Sequence, residues 1–87
     1  MTTLSTSERL VKQEVLRELI VTMSSSLYRY YDDNDIDEND MKHPLVLLHN
    51  ELRDVPDKIL LSSDEELIKI DGYVTFLFQL LKKLEVV

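Results

Sequence analysis

The run Asp32–Asp40 (DDNDIDEND) holds the side chains of this sequence that are best suited to binding chemistry, with six carboxylates and no basic group. The whole chain has a formal net charge of −7, so this run carries most of the imbalance and the rest is close to neutral. Clustered carboxylates attract cations and basic protein surfaces. We therefore expect either a solvated acidic linker or a contact with a basic partner, and the candidate contact residues are Asp32, Asp33, Asp35, Asp37 and Glu38.

Calcium chemistry has only partial support in this run. Asp33, Asp35 and Asp37 alternate in the way that the first ligands of a helix–loop–helix calcium loop do. Counted from Asp33, however, Glu38 stands where that loop needs glycine, and Pro44 stands where it needs a bidentate glutamate. The pattern therefore does not predict an EF-hand, and weak binding of a hard cation is left only as an alternative.

Other site chemistries are excluded more firmly. The chain has no Cys and one Gly, which removes thiolate zinc sites, cysteine nucleophiles and glycine-rich phosphate loops. His43 and His49 are six residues apart, which does not align them on one helix face for a metal. An acidic chain without a basic cluster offers nucleic-acid phosphates nothing to bind. We therefore predict a protein that is not an enzyme, with no cofactor and no metal, and with no direct binding to nucleic acid.

The elements that must position these residues are helices. Ser5 and Glu8 have the spacing of a capping box, which predicts a first helix over about residues 5–31. Its apolar residues form a broad core face, made of Val15, Leu16, Leu19, Ile20, Met23, Leu27 and Tyr30. Leu10, Val21 and Tyr28 fall together on the other side of the helix. That second group is a candidate contact surface, and Tyr31 joins it because it lies beside the acidic run.

The second helix is predicted over about residues 41–54, with Pro44 in its first turn and a core stripe of Met41, Leu45, Leu48, Leu52 and Val55. Pro56 is expected to end it. The pattern leaves open whether residues 57–61 form a short fourth helical turn or a connector.

The last helix is predicted over about residues 63–85, capped by the pair Ser62 and Glu65. The apolar residues of this helix form a core face that includes Leu77. A second apolar row, made of Tyr73, Phe76 and Leu80, lies beside that face. The combined apolar arc is wider than the roughly 100° that one packed face needs. We therefore expect part of this face to bind a partner. We interpret Gly72 as a point where another helix approaches closely, and the alternative is a mild local weakness of the helix without a role.

These patterns predict an all-α fold, a compact bundle of three main helices in a single domain over residues 1–87, with an acidic inter-helix loop at 32–40. The amino terminus lacks the order of a signal peptide and no apolar run reaches the roughly 20 residues of a membrane span, so we expect a soluble, cytoplasmic protein. The predicted function is protein–protein interaction or self-association, with a homodimer as one form, through the wide face of the last helix. The alternative is an acidic inhibitor or immunity-type protein that blocks a basic site on a partner.

Overall fold

The computed structural model describes residues 3–87, and within them the chain forms three α-helices and no strand. Helix α1 spans Thr6–Asp33, α2 spans Pro44–Leu61 and α3 spans Asp64–Lys83. Each helix packs against the other two, in a bundle that measures 45 × 21 × 17 Å. The prediction of an all-α bundle of three main helices is confirmed. None of the helices in the described residues is both long enough and apolar enough to cross a membrane.

Helix α1 begins at the predicted capping box. The Glu8 backbone N–H donates to Ser5 Oγ at 3.1 Å, and the Ser5 N–H donates to Glu8 Oε1 at 3.2 Å. These bonds satisfy two amides that have no partner within the helix. The buried line of α1 consists of Leu16, Ile20, Met23, Leu27 and Tyr31. Val15 was expected in the core but is 46% exposed, because it lies at the outer edge of that line.

Helix α2 continues through Pro56, so the prediction that it ends near Asp54 is wrong. Residues 57–61 are helical, as the last part of α2 rather than as a separate turn. Proline inside a helix costs about 3 kcal/mol because it removes one hydrogen bond and crowds the preceding turn. Leu52, Val55 and Ile59 are all buried on one face that spans the proline. Ile59 lies beyond the proline, and burial of such a side chain contributes roughly 1.5–3 kcal/mol, which offsets much of the cost.

The start of α2 also differs from the prediction. His43 is the N-cap residue, and its Nδ1 accepts a hydrogen bond from the Leu45 N–H at 3.1 Å. Pro44 then occupies the first turn, where a missing N–H costs nothing. Met41 therefore lies before the helix and is 56% exposed rather than part of the core. The buried face uses Val46 and His49 instead, since the stripe is rotated from the predicted one.

Helix α3 begins one residue later than its predicted cap implies. Ser63, not Ser62, caps it, with Ser63 Oγ accepting from the Glu66 N–H at 3.3 Å. Both Ser62–Glu65 and Ser63–Glu66 fit the capping spacing, and the structure uses the second pair because Ser62 is occupied as the C-cap of α2. Ser62 is buried and donates to the Ile59 carbonyl at 2.9 Å.

Gly72 does not mark a close approach between helices. A Cβ placed on Gly72 would have no side-chain or neighbouring-helix atom within 4 Å, and the residue is exposed. The interpretation of Gly72 as a packing contact is therefore wrong, and the glycine remains as a local weakness in α3.

Candidate protein-binding surfaces

An acidic groove lies where α1 meets the loop that leads to α2. We use this name for the open depression lined by Tyr28, Arg29, Tyr31, Asp32, Asp35, Ile36, Asp37 and Glu38. The fold thus brings together most of the acidic candidates with the two tyrosines. Asp33 is exposed but lies outside the lining of the groove. The walls combine carboxylates with aromatic surface, which suits the side chains of a basic protein segment.

The loop that forms one side of the groove has a defined hydrogen-bonded path. The Ile36 N–H donates to the Tyr31 carbonyl at 2.9 Å, and Asp37 Oδ1 accepts from the Asn39 N–H at 2.9 Å. Asp35 has a left-handed backbone with φ of 53°, a conformation that Asp and Asn tolerate better than most residues. Ile36 is half-buried and packs against the core. The carboxylates are therefore presented by an anchored loop.

A row of exposed apolar residues runs along α1 toward the groove. Leu10 is 59% exposed, Val21 is 64% exposed and Tyr28 is 43% exposed. Their separations of 11 and 7 residues are close to three and two helical turns, so they share one side of α1. Tyr28 belongs to both features, because it ends the row and lines the groove. We call these three residues the outer row of α1.

Tyr31 is in the core rather than on the contact surface that the sequence suggested. Its side chain is 4% exposed, and its hydroxyl donates to the Leu45 carbonyl at 3.1 Å. The hydroxyl also lies 3.3 Å from His49 Nδ1. Burial raises the pKa of Tyr31, since the phenolate is poorly solvated there. Tyr31 can shape the groove, but it offers a partner little surface.

The neighbouring His49 and Arg53 were not predicted as site residues. His49 is 2% exposed, and its ring packs edge-on to Tyr28 with 4.7 Å between ring centroids. Arg53 Nη2 donates to Tyr28 Oη at 2.7 Å. Burial lowers the pKa of His49 and nearby Arg53 lowers it further, while Glu38 opposes both. Helical periodicity gave no signal for the burial of His49, because the apolar stripe of α2 runs through Leu48 beside it.

The wide face of α3 is partly exposed. Phe76 is 63% exposed and Tyr73 is 42% exposed, while Leu80 is half-buried. Tyr73 Oη donates to Glu51 Oε2 at 2.8 Å, and this hydrogen bond raises the pKa of Tyr73. Leu77, another candidate contact residue, is 5% exposed and belongs to the core. The exposed part of this face is therefore narrower than the sequence suggested.

A cluster at the opposite end of the bundle ties the three helices together. Arg9 Nη1 pairs with Asp64 Oδ1 at 2.8 Å, and Arg9 Nη2 donates to the Ser62 carbonyl. Asp64 Oδ2 accepts from the Leu4 N–H at 3.0 Å. The Leu4 hydrogen bond lowers the pKa of Asp64, and Arg9 adds to that effect. Sequence spacing gave no signal for these contacts, because they join residues 53 to 60 positions apart.

Within residues 3–87 no group of three or more potential ligand side chains converges in a way that could hold a metal ion. A small helical bundle with an aromatic–acidic groove and exposed apolar rows has the surface features of a protein that binds other proteins. Residues 6–84 match the family model of the bacterial epsilon antitoxin, which covers nearly all of the chain. The chain therefore belongs to the bacterial epsilon antitoxin family. Comparison with curated proteins and with solved structures gives no match.

An antitoxin is a non-catalytic regulatory protein that acts by binding a protein, the toxin. This agrees with the prediction that the chain is not an enzyme and that its partner is a protein. It also favours the inhibitor, given above as the alternative, over the assembly module that was the main functional prediction.

Proposed function

We propose that this protein neutralises a toxin protein by binding it through the outer row of α1 and the acidic groove. The family match over residues 6–84 carries the proposal that the partner is a toxin. The choice of surface rests on the exposure of Leu10, Val21 and Tyr28 and on the groove that begins at Tyr28. A cytoplasmic location and a single domain over residues 1–87 stay predictions.

The apolar part of this surface is large enough to matter energetically. The outer row extends about 27 Å along α1, at roughly 1.5 Å per residue. Fully burying a Val, Leu or aromatic side chain contributes on the order of 1.5–3 kcal/mol, and these three residues are each about half exposed or more. Contact with the row would therefore supply several kcal/mol before the costs of association.

The two acids that end α1 are placed where they do not help the helix. Asp32 and Asp33 occupy the last turn of α1, which has no basic residue. The carboxyl end of a helix carries partial negative charge, so acids there are electrostatically unfavourable. Acids at this end of a helix go against the local electrostatic preference without a gain in stability, and this supports a role for them in binding. The partner surface that fits the groove is basic.

The neutralisation test begins with the partner. The tagged protein is used to capture binding proteins from its native source at low and at high salt, and each captured protein is then expressed in a bacterial host. We expect one captured protein to arrest growth when expressed alone and to lose this effect when this chain is co-expressed. Captured proteins that are harmless, or whose toxicity the chain does not relieve, would refute the proposal.

The role of the groove is tested with Asp35→Asn, Asp37→Asn and Glu38→Gln combined. These changes remove charge and preserve the fold, because Asn also accepts the Asn39 N–H and also tolerates the φ of Asp35. We expect the association rate with the toxin to fall about tenfold at low salt, with little difference at high salt.

A charge-matched control separates the groove from net charge. Asp54→Asn, Asp57→Asn and Glu65→Gln remove the same charge from exposed positions outside the groove. We expect this variant to associate at the wild-type rate. If both triple variants slow association equally, the groove has no special role and only the net charge matters.

A second candidate function is assembly through α3, favoured by the exposure of Phe76 and Tyr73 beside half-buried Leu80. We propose Phe76→Ser as its test, with mass measured by light scattering over a range of concentrations. A wild-type dimer that the substitution converts to a monomer would support self-association. A wild-type protein that stays monomeric would remove it, and it would leave the outer row and groove as the binding surfaces.

A further inference from the structure

His49 packs against the two tyrosines that line the acidic groove. The His49 ring centroid lies 4.7 Å from that of Tyr28 and 5.9 Å from that of Tyr31. Histidine changes charge near pH 6.5, closer to neutrality than any other unperturbed side chain. A buried histidine against a binding groove can therefore make that groove respond to protons, which a leucine at the same place could not.

We infer that His49 is a proton-sensitive positioning residue for the acidic groove: when its ring takes up a proton, the Tyr28 wall shifts and binding of a basic toxin surface weakens. The inference rests on the proposed function for the identity of the partner. The response of the groove itself can be measured without any partner.

The groups around His49 determine how protonation would act. Tyr28 and Tyr31 face it from α1, Glu38 acts on it from the loop, and Arg53 acts on it from α2. Arg53 follows His49 by four residues, and like charges at this spacing on a helix repel. A cationic His49 would push Arg53 from its 2.7 Å hydrogen bond with Tyr28 Oη. The same cation would draw Glu38 toward α2.

The displacement of Arg53 and the displacement of Glu38 both make the groove less suited to a basic partner. Tyr28 loses the donor that fixes its hydroxyl, and Glu38 becomes paired within the protein instead of being free for a partner. The neutral ring, by contrast, leaves Arg53 hydrogen-bonded to Tyr28 Oη and does not attract Glu38 away from the groove. The groove is therefore best formed for a basic partner when His49 is neutral.

The direction with pH follows from the environment of the ring. Burial holds the pKa of His49 in the folded protein below the ordinary value of 6.5, and Arg53 acts in the same direction. The unfolded chain therefore binds the proton more readily than the folded one. The stabilising effect of neutral His49 is fully present above pH 6.5 and is lost as the pH falls through the lower, folded-state pKa.

The first experiment uses the wild-type protein alone. Ring and amide resonances are followed by NMR from about pH 8 to about pH 5, across the range in which histidine titrates. We expect the His49 ring to titrate below about pH 6.5, and the Tyr28 ring and the amides of residues 35–38 to follow the same curve. If His49 titrates at or above that value, or if the groove resonances do not follow it, the inference is wrong.

The second experiment measures toxin affinity at high and low pH, with the toxin identified by the growth assay. His49→Asn keeps a hydrogen-bonding group near the Nδ1 position without a titrating ring, and His43→Asn is the control because Asn also serves as an N-cap. We expect the wild type and the control to lose at least about fivefold in affinity at acidic pH, a typical coupling, while His49→Asn does not.

Failure of the proposed function and failure of the inference about His49 give different experimental results. A toxin that binds none of these proteins at neutral pH refutes the proposed function, while the NMR titration still decides whether His49 controls the groove. Equal pH dependence in wild type and His49→Asn would refute the role of His49 even if the toxin binds.

Discussion

Replacing Gly72 by Ala should stabilise the protein by about 1 kcal/mol, because glycine in a helix interior is less favourable than alanine by that amount. Gly72 lies inside α3, and an added Cβ would meet no neighbouring side chain or helix within 4 Å. No packing penalty therefore offsets the gain. For a domain of 87 residues, 1 kcal/mol corresponds to a rise in Tm of about 4–8 °C.

The assay is urea unfolding followed by circular dichroism, with Gly72→Ser as an intermediate case. Serine has a helix propensity between those of glycine and alanine, so we expect the free energy of unfolding to rise in the order Gly, Ser, Ala at a constant m-value. A loss of stability on substitution to Ala would mean that another part of the protein approaches Gly72 closely, and it would refute the reasoning.

Two further changes test the core and the Arg9 cluster. Leu27→Ala should lower the free energy of unfolding by about 2–5 kcal/mol because Leu27 is fully buried, whereas Leu10→Ala, at a 59% exposed site on the same helix, should change it by less than about 0.5 kcal/mol. Denaturant unfolding measures both, and equal effects would contradict the assigned core. Asp64→Asn should reduce the loss of stability in acid, since the depressed pKa of Asp64 stabilises the fold above the ordinary value of 3.8 and this is lost as the pH falls through the folded-state pKa. The measurement is the Tm of each variant as a function of pH, with Asp57→Asn as the control. If the two variants lose stability in acid to the same extent, the role assigned to Asp64 is wrong.

Local signals in the sequence were sufficient for the overall fold. The capping box at Ser5 and Glu8 and the apolar periodicity of α1 depend only on residues within a few positions of one another. The doubled Ser62–Ser63 and Glu65–Glu66 pairs show the limit of such signals, because two registers satisfy the same spacing. Only the contacts of Ser62 with the end of α2 decide between them.

The predictions for α2 and for Tyr31 were wrong because tertiary packing overrides the local preference of the sequence at these places. Pro56 favours an end to α2 in the sequence, but the buried face that spans it keeps the helix continuous. Packing against the other helices also sets the rotation of α2, and it buries His49 although the apolar periodicity of the sequence runs through Leu48. In the candidate site, the acidic run and Tyr28 could be predicted from composition and helical spacing. The burial of Tyr31 could not, because it depends on Leu45 and His49 in another helix.

The attachment of α1 near both ends has a consequence for the thermodynamics of association. Arg9 joins its first turns to α2 and α3, and Tyr31 joins its last turn to α2, so the segment between them is held as one rigid rod. A partner that docks on this rod need not order a mobile segment, and little conformational entropy is lost on binding. Slow dissociation can then be achieved with a modest contact area, since few of the favourable contacts are offset by ordering the chain.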